Sequence, residues 1–141
     1  MISSWVFWSL LSALFAGATA ILAKLGVAEI NSNLATAVRT TVVLVLAWII
    51  ALAEVPAADI TRISRRTLIF LVLSGVATGL SWICYFRALQ LGEASKVAPI
   101  DKLSVVFVLI FAAMFLREPM TTKTLAGATL IAAGAVVLAI G

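Results

Sequence analysis

Residues 67–89 read TLIFLVLSGVATGLSWICYFRAL, an apolar run with a single charge, Arg87, near its end. About 20 mainly apolar residues in an α-helix cross the hydrocarbon of a bilayer. The run is continuous and lacks the two-residue alternation of a barrel strand, which excludes strands. Working outward, four further stretches have the same character: 4–27 and 34–53 before it, 95–116 and 122–140 after it. The chain of 141 residues is 64% hydrophobic and 11% charged, with mean hydropathy +1.22. A soluble domain of this size could not bury so much apolar surface. The sequence predicts an all-α, polytopic membrane protein, a bundle of five transmembrane helices in one domain spanning residues 1–141, with no room for a second, soluble domain.

The connections carry helix punctuation. Glu29-Ile30-Asn31-Ser32-Asn33 offers Asn and Ser for a helix N-cap. Glu54 to Arg66 is the longest loop and holds Pro56, Asp59, Arg62, Arg65 and Arg66. Gln90-Leu91-Gly92-Glu93 reads as a tight turn with Gly92 as C-cap. At Arg117-Glu118-Pro119-Met120 the proline stops one helix, and Thr121 or Thr122 caps the next.

Composition removes several classes of function. The net charge of +4 would suggest nucleic acid in a soluble protein, but here the cations read as loop charges and no nucleic acid is expected. With no His in the chain, metal and imidazole chemistry are disfavoured and no metal site is expected. Cys84 stands alone, so no intramolecular disulfide forms. Trp5–Phe15 followed by Ala16-Gly17-Ala18-Thr19-Ala20 resembles a signal peptide. However, no Lys or Arg precedes Trp5 and the apolar run continues through Ala23, so a retained helix is expected. No Gly-Asp pair or Ser/Lys constellation points to an intramembrane enzyme.

Five spans place the termini on opposite sides. One side carries Arg62, Arg65, Arg66, Arg117 and Lys123, the other Lys24, Arg39, Arg87 and Lys96, with Lys102 deeper. This near balance gives only a faint preference for the N-terminus inside. It leaves open both an ordinary fixed topology and dual topology with antiparallel pairing.

Charges inside apolar stretches are the best pointers to function, because an ionisable group at membrane depth is costly and faces a cavity or a partner. Lys24, Arg39 and the adjacent Asp101–Lys102 are such charges. Neighbouring helical residues point about 100° apart, so Asp101 and Lys102 are expected to find partners on other helices, Arg39 or Lys24 meeting Asp101. Pro99 either bends the fourth helix or sits in its first turn. On the third helix, Gly75 and Gly79 with Trp82 and Phe86 form one stripe, and Ser74, Thr78, Ser81 and Tyr85 another, suited to a cavity wall or to interhelical hydrogen bonds. On the fifth, Gly127 and Gly134, with Leu130 and Ile131, mark either a dimer contact or internal packing.

Several short motifs then fall in order. The first helix has Ala16-Gly17 and then Lys24-Leu25-Gly26; the second has Ala37-Val38-Arg39. The third ends Ala88-Leu89-Gln90-Leu91-Gly92-Glu93-Ala94-Ser95; the fourth carries Ala98-Pro99 and closes on Phe115-Leu116-Arg117-Glu118; the fifth has Gly127, Leu130-Ile131 and Gly134. Together they make the chain resemble the EamA domain of the drug/metabolite transporter superfamily, in its short form with one five-helix domain. The resemblance covers essentially the whole sequence. It implies a transporter in the cytoplasmic (inner) membrane, built from a second copy of itself. The related small multidrug resistance proteins exchange protons for cationic drugs at a glutamate in the first helix, and this first helix has no carboxylate.

The expected function is secondary transport of small organic metabolites by alternating access, with amino acids or organic anions favoured over quaternary cations. The substrate-binding residues would be Lys102, Arg39, Asp101, Trp82, Tyr85, Ser81, Pro99 and Lys24, and the dimer interface Gly127, Leu130, Ile131 and Gly134. No cofactor is expected, though proton or ion coupling is open. The alternative is an accessory membrane subunit, or a component of a lipid-carrier flippase, working as a heterodimer.

Overall fold

In a computed structural model, which describes residues 4–60 and 62–141, the chain is predominantly helical and no strand occurs among the described residues. Five helical spans are long and apolar enough to cross a membrane. Helix α1 runs Ser4–Gly26, α2 Ser32–Glu54, a short α3 Ala57–Ile60, and α4 Arg65–Leu91. The fourth span is divided into α5 Ala94–Asp101, α6 Ser104–Phe111 and a terminal π-helical turn Ala112–Leu116; α7 runs Thr122–Ile140. The short α3 lies in the long loop from Glu54 to Arg66, where no helix was expected. The chain folds as two compact units, Ala23–Gln90 and the remainder, α1 up to Leu22 with Leu91–Gly141.

The caps account for where the helices start. Asn31 opens α2, its side-chain oxygen accepting from the Asn33 amide at 2.8 Å. Thr121 opens α7 by accepting from the Thr124 amide at 3.1 Å. Each satisfies one amide that has no partner within its helix. Glu93 precedes α5 without a side-chain cap bond. Gly92 does not provide the left-handed C-cap expected of it, since no described glycine has positive φ. That conformation falls on Arg117, at φ 56°, whose amide bonds Ala112 O to close the π-helical turn. A side chain in this region costs about 1 kcal/mol, which a glycine would avoid.

The unit Ala23–Gln90 is closed at one end, where α1 finishes, α2 begins and α4 finishes. Val27 and Leu89 are fully buried there and Phe86 is 2% exposed. Ala23, Ser32, Ala35 and Thr36 are buried with them. The hydroxyls of Thr36, Thr40 and Thr41 fold back onto the carbonyls of Ser32, Thr36 and Ala37, at 2.7–3.0 Å, which satisfies them without a second helix. Away from this end, α2 from Thr40 to Ile50 and α4 from Arg65 to Thr78 are exposed throughout. A Cβ added at Gly75 or Gly79 would meet nothing within 4 Å, so the close helix approach that these glycines permit is not made within the protomer.

In the other unit α7 packs chiefly on α5, and to a smaller extent on α6. Ala135 is buried and Ala128 and Ala132 are half-buried along one α7 face. An apolar cleft of about 290 Å³ between α6 and α7 is bordered by Val106, Ile110, Leu125 and Ala128. Phe107, Phe111 and Phe115 stack along the outer surface with ring centroids 6.2–6.5 Å apart.

Candidate functional site

Arg39 sits two turns into α2 and Trp82 late in α4, both beside the closed end of their unit. The Arg39 guanidinium lies 4.2 Å from the centre of the Trp82 ring and 5.5 Å from that of Phe86. Trp82 and Phe86 are four residues apart on one helical face, and the guanidinium lies near both rings. The attraction is worth about 0.5–2 kcal/mol, and it holds the guanidinium beside the two rings. No carboxylate or carbonyl among the described residues hydrogen-bonds that group. A planar cation so held presents its N–H edge for a forked bond to a carboxylate or phosphate.

Tyr85 is half-buried, edge-on to Phe86 with centroids 6.5 Å apart. Ser81 is exposed beside Trp82. Of the polar stripe on α4, Thr78 donates to Ser74 O at 2.9 Å on its own helix.

Lys24 has a different setting from the one expected. Its ammonium donates to Leu89 O at 2.6 Å. Leu89 lies in the last turn of α4, where carbonyls lack helical partners, so the cation both satisfies an orphan acceptor and complements the helix C-terminus. Gln90 Nε2 donates to Ile30 O at 3.0 Å, and Arg87 to Gln90 Oε1 at 2.7 Å. These bonds tie the ends of α1, α2 and α4 together. They make Lys24 part of the framework of its unit.

The fourth span holds the remaining candidates. Pro99 lies inside α5, not in its first turn. The helix breaks at Lys102–Leu103, three residues further on. Across the break the amides of Lys102, Leu103, Val105 and Val106 bond the carbonyls of Pro99, Ile100, Lys102 and Leu103 at 2.9–3.1 Å. Each reaches back three residues, the tighter 3₁₀ pattern, instead of four. Asp101 and Lys102, expected to diverge, instead meet each other: Lys102 Nζ is 3.5 Å from Asp101 Oδ2, with side chains 58% and 38% exposed. The expectation assumed a regular helix, and Lys102 lies outside one. Asp101 is seven residues beyond Ala94, hence about 10 Å into the span.

On α7 the four residues expected at a dimer contact are largely uncovered. Leu130 is 74% exposed, Ile131 42%, Gly134 is exposed and Gly127 half-buried. A Cβ at Gly127 or Gly134 would meet nothing within 4 Å.

A protein from Sinorhizobium sp., described as an uncharacterized transporter in cobO 3'region, is 51% identical over 140 residues, 99% of each chain. No solved structure matches the chain. Residues 3–140 match the model of the EamA-like transporter family. Five spans that form two helical units, charges kept at membrane depth and this match over nearly the full length agree, and the chain belongs to the EamA-like transporter family.

Proposed function

We propose that this chain is a secondary transporter of small organic anions or amino acids in the cytoplasmic membrane, working by alternating access as a pair of copies. The observation that carries the reading is Arg39, a guanidinium oriented by Trp82 at 4.2 Å with its N–H edge unclaimed. A cation at membrane depth without a protein acceptor invites an anionic ligand. The substrate carboxylate takes the Arg39 fork, and Trp82 and Tyr85 supply apolar contact beside it, with Ser81 as a neighbouring hydroxyl. In the other unit, Lys102 is a separate cation suited to anion recognition, with Asp101 as its orienting partner, on the span that holds Pro99. Lys24 keeps its framework role.

The uncovered α7 face, with Gly127, Leu130, Ile131 and Gly134, is the contact between copies. Near-balanced loop charges allow those copies to insert in opposite orientations. The first test is uptake of labelled amino acids and organic acids into proteoliposomes. Uptake of an anionic compound whose apparent affinity falls in Arg39→Gln supports the reading. Uptake confined to organic cations would sink it. Orientation is tested with Cys84→Ser and one cysteine introduced at Gly141, labelled by an impermeant thiol reagent on intact and opened cells. Labelling of about half the molecules from outside is the dual-topology result; uniform labelling from one side would point to a fixed orientation and a different partner protein.

A further inference from the structure

We propose that the break in the fourth span binds a sodium-sized monovalent cation, taken up together with the anionic substrate, and that the Lys102 ammonium is the internal ion this cation displaces. The cotransport part rests on the reading of the protein as an organic-anion transporter; the binding part does not.

The first ground is the released peptide oxygens. In a regular helix the amides of Lys102 and Val105 would bond the carbonyls of Ala98 and Asp101. Here they bond Pro99 and Lys102 instead, which leaves the Ala98 and Asp101 oxygens without their helical donors. Pro99 has no N–H, so Ser95 O also loses its donor. Peptide oxygens within an apolar span need a donor or a cation.

The second ground is the company they keep. Asp101 places a carboxylate on the same turn, and Ser104 a hydroxyl one turn beyond. Peptide oxygens, a carboxylate and a hydroxyl are hard donors of the kind that bind alkali cations where transporter helices are interrupted. A proton would use the carboxylate alone and leave the carbonyls unserved, so the donor set favours a metal cation.

The third ground is charge. Asp101 and Lys102, 3.5 Å apart, form a neutral pair. A cation on Asp101 alone leaves a net positive site, and an anion on Lys102 alone leaves a net negative one, each costly at membrane depth. With both bound, the cation on Asp101 and an acidic group of the substrate on the freed Lys102, the site is neutral again. Each ion therefore binds more tightly when the other is present, which couples them. The long lysine stem allows the exchange without movement of the backbone.

The test is binding of radiolabelled sodium to the purified, detergent-solubilised protein, with choline as the replacing cation and no substrate present. Saturable binding is expected for the wild type, and its loss in Asp101→Asn. Lys102→Met, which removes the internal competitor, is expected to bind sodium about tenfold more tightly or better. Wild-type affinity in Asp101→Asn, or no gain in Lys102→Met, would overturn the proposal. If Asp101→Asn does not fold, Lys102→Met carries the test by itself, since a tighter site cannot come from a damaged one. Sodium binding in a protein that moves no organic anion would support the site and overturn the transport reading. Organic-anion uptake that persists unchanged in choline would support that reading and overturn the coupling.

Discussion

The closed end of the Ala23–Gln90 unit and the break in the fourth span both hold charges at membrane depth, by opposite means. At the closed end, two regular helices and the end of a third meet around fully buried Val27 and Leu89, and each cation meets groups fixed by that packing: Lys24 the Leu89 carbonyl, Arg39 the Trp82 and Phe86 rings. At the break, the helix itself gives way, and Asp101 and Lys102 share a 3.5 Å contact while largely accessible. The difference teaches that a buried charge is held in place by a fixed partner when the surroundings are packed, and left exchangeable when the backbone yields.

The largest expected effect tests the packed side. Arg39→Gln should lower apparent substrate affinity about 10- to 100-fold, the loss of a charged hydrogen-bonding partner, measured as the concentration dependence of uptake. Lys24→Met should destabilise the folded protein by about 2 kcal/mol by orphaning the Leu89 carbonyl, read from denaturant or thermal unfolding, with substrate affinity unmoved. A shift in affinity instead would return Lys24 to the binding site. Amide hydrogen exchange compares the regions directly: amides of Lys102 to Val106 should exchange about tenfold faster than those of Ile83 to Leu89, because weakly held segments open locally. Equal protection would erase the contrast. Trp82→Ala should weaken binding about fivefold, and Trp82→Phe less, following the loss of the stacked face. The smallest change is Glu93→Ser, which supplies the missing N-cap of α5 and should stabilise the protein by about 0.5 kcal/mol, seen as a small rise in Tm.

The five spans were legible because a bilayer imposes one requirement, continuous apolar helix, and the runs meet it without interruption by turn residues. The N-caps at Asn31 and Thr121 were legible for the same local reason, a short polar side chain before an apolar run. The break was only half legible. Pro99 pointed to a disturbance, but the disruption falls at Lys102–Leu103, where the ladder has already tightened. The left-handed cap at Arg117 could not be read at all, because nothing in an arginine announces positive φ. Among the candidate site residues, the sequence picked out charges within apolar runs but not which neighbour each would find. It offered Arg39 or Lys24 as a partner for Asp101, while Lys24 also bonds a carbonyl 65 positions away. That pairing depends on where α1 and α4 end in space, which no local pattern encodes.

The uncovered length of α4 has a mechanical consequence. From Thr78 back to Arg65 the helix has no buried residue, an arm of about 20 Å whose only firm support in its unit is the closed end. Such an arm amplifies: a tilt of about 5° at the support carries the far end through about 2 Å, for a rise of 1.5 Å per residue. Small rearrangements around Phe86 and Leu89 are thereby geared into large ones at the opposite face of the membrane, with acyl chains offering little resistance to the swing.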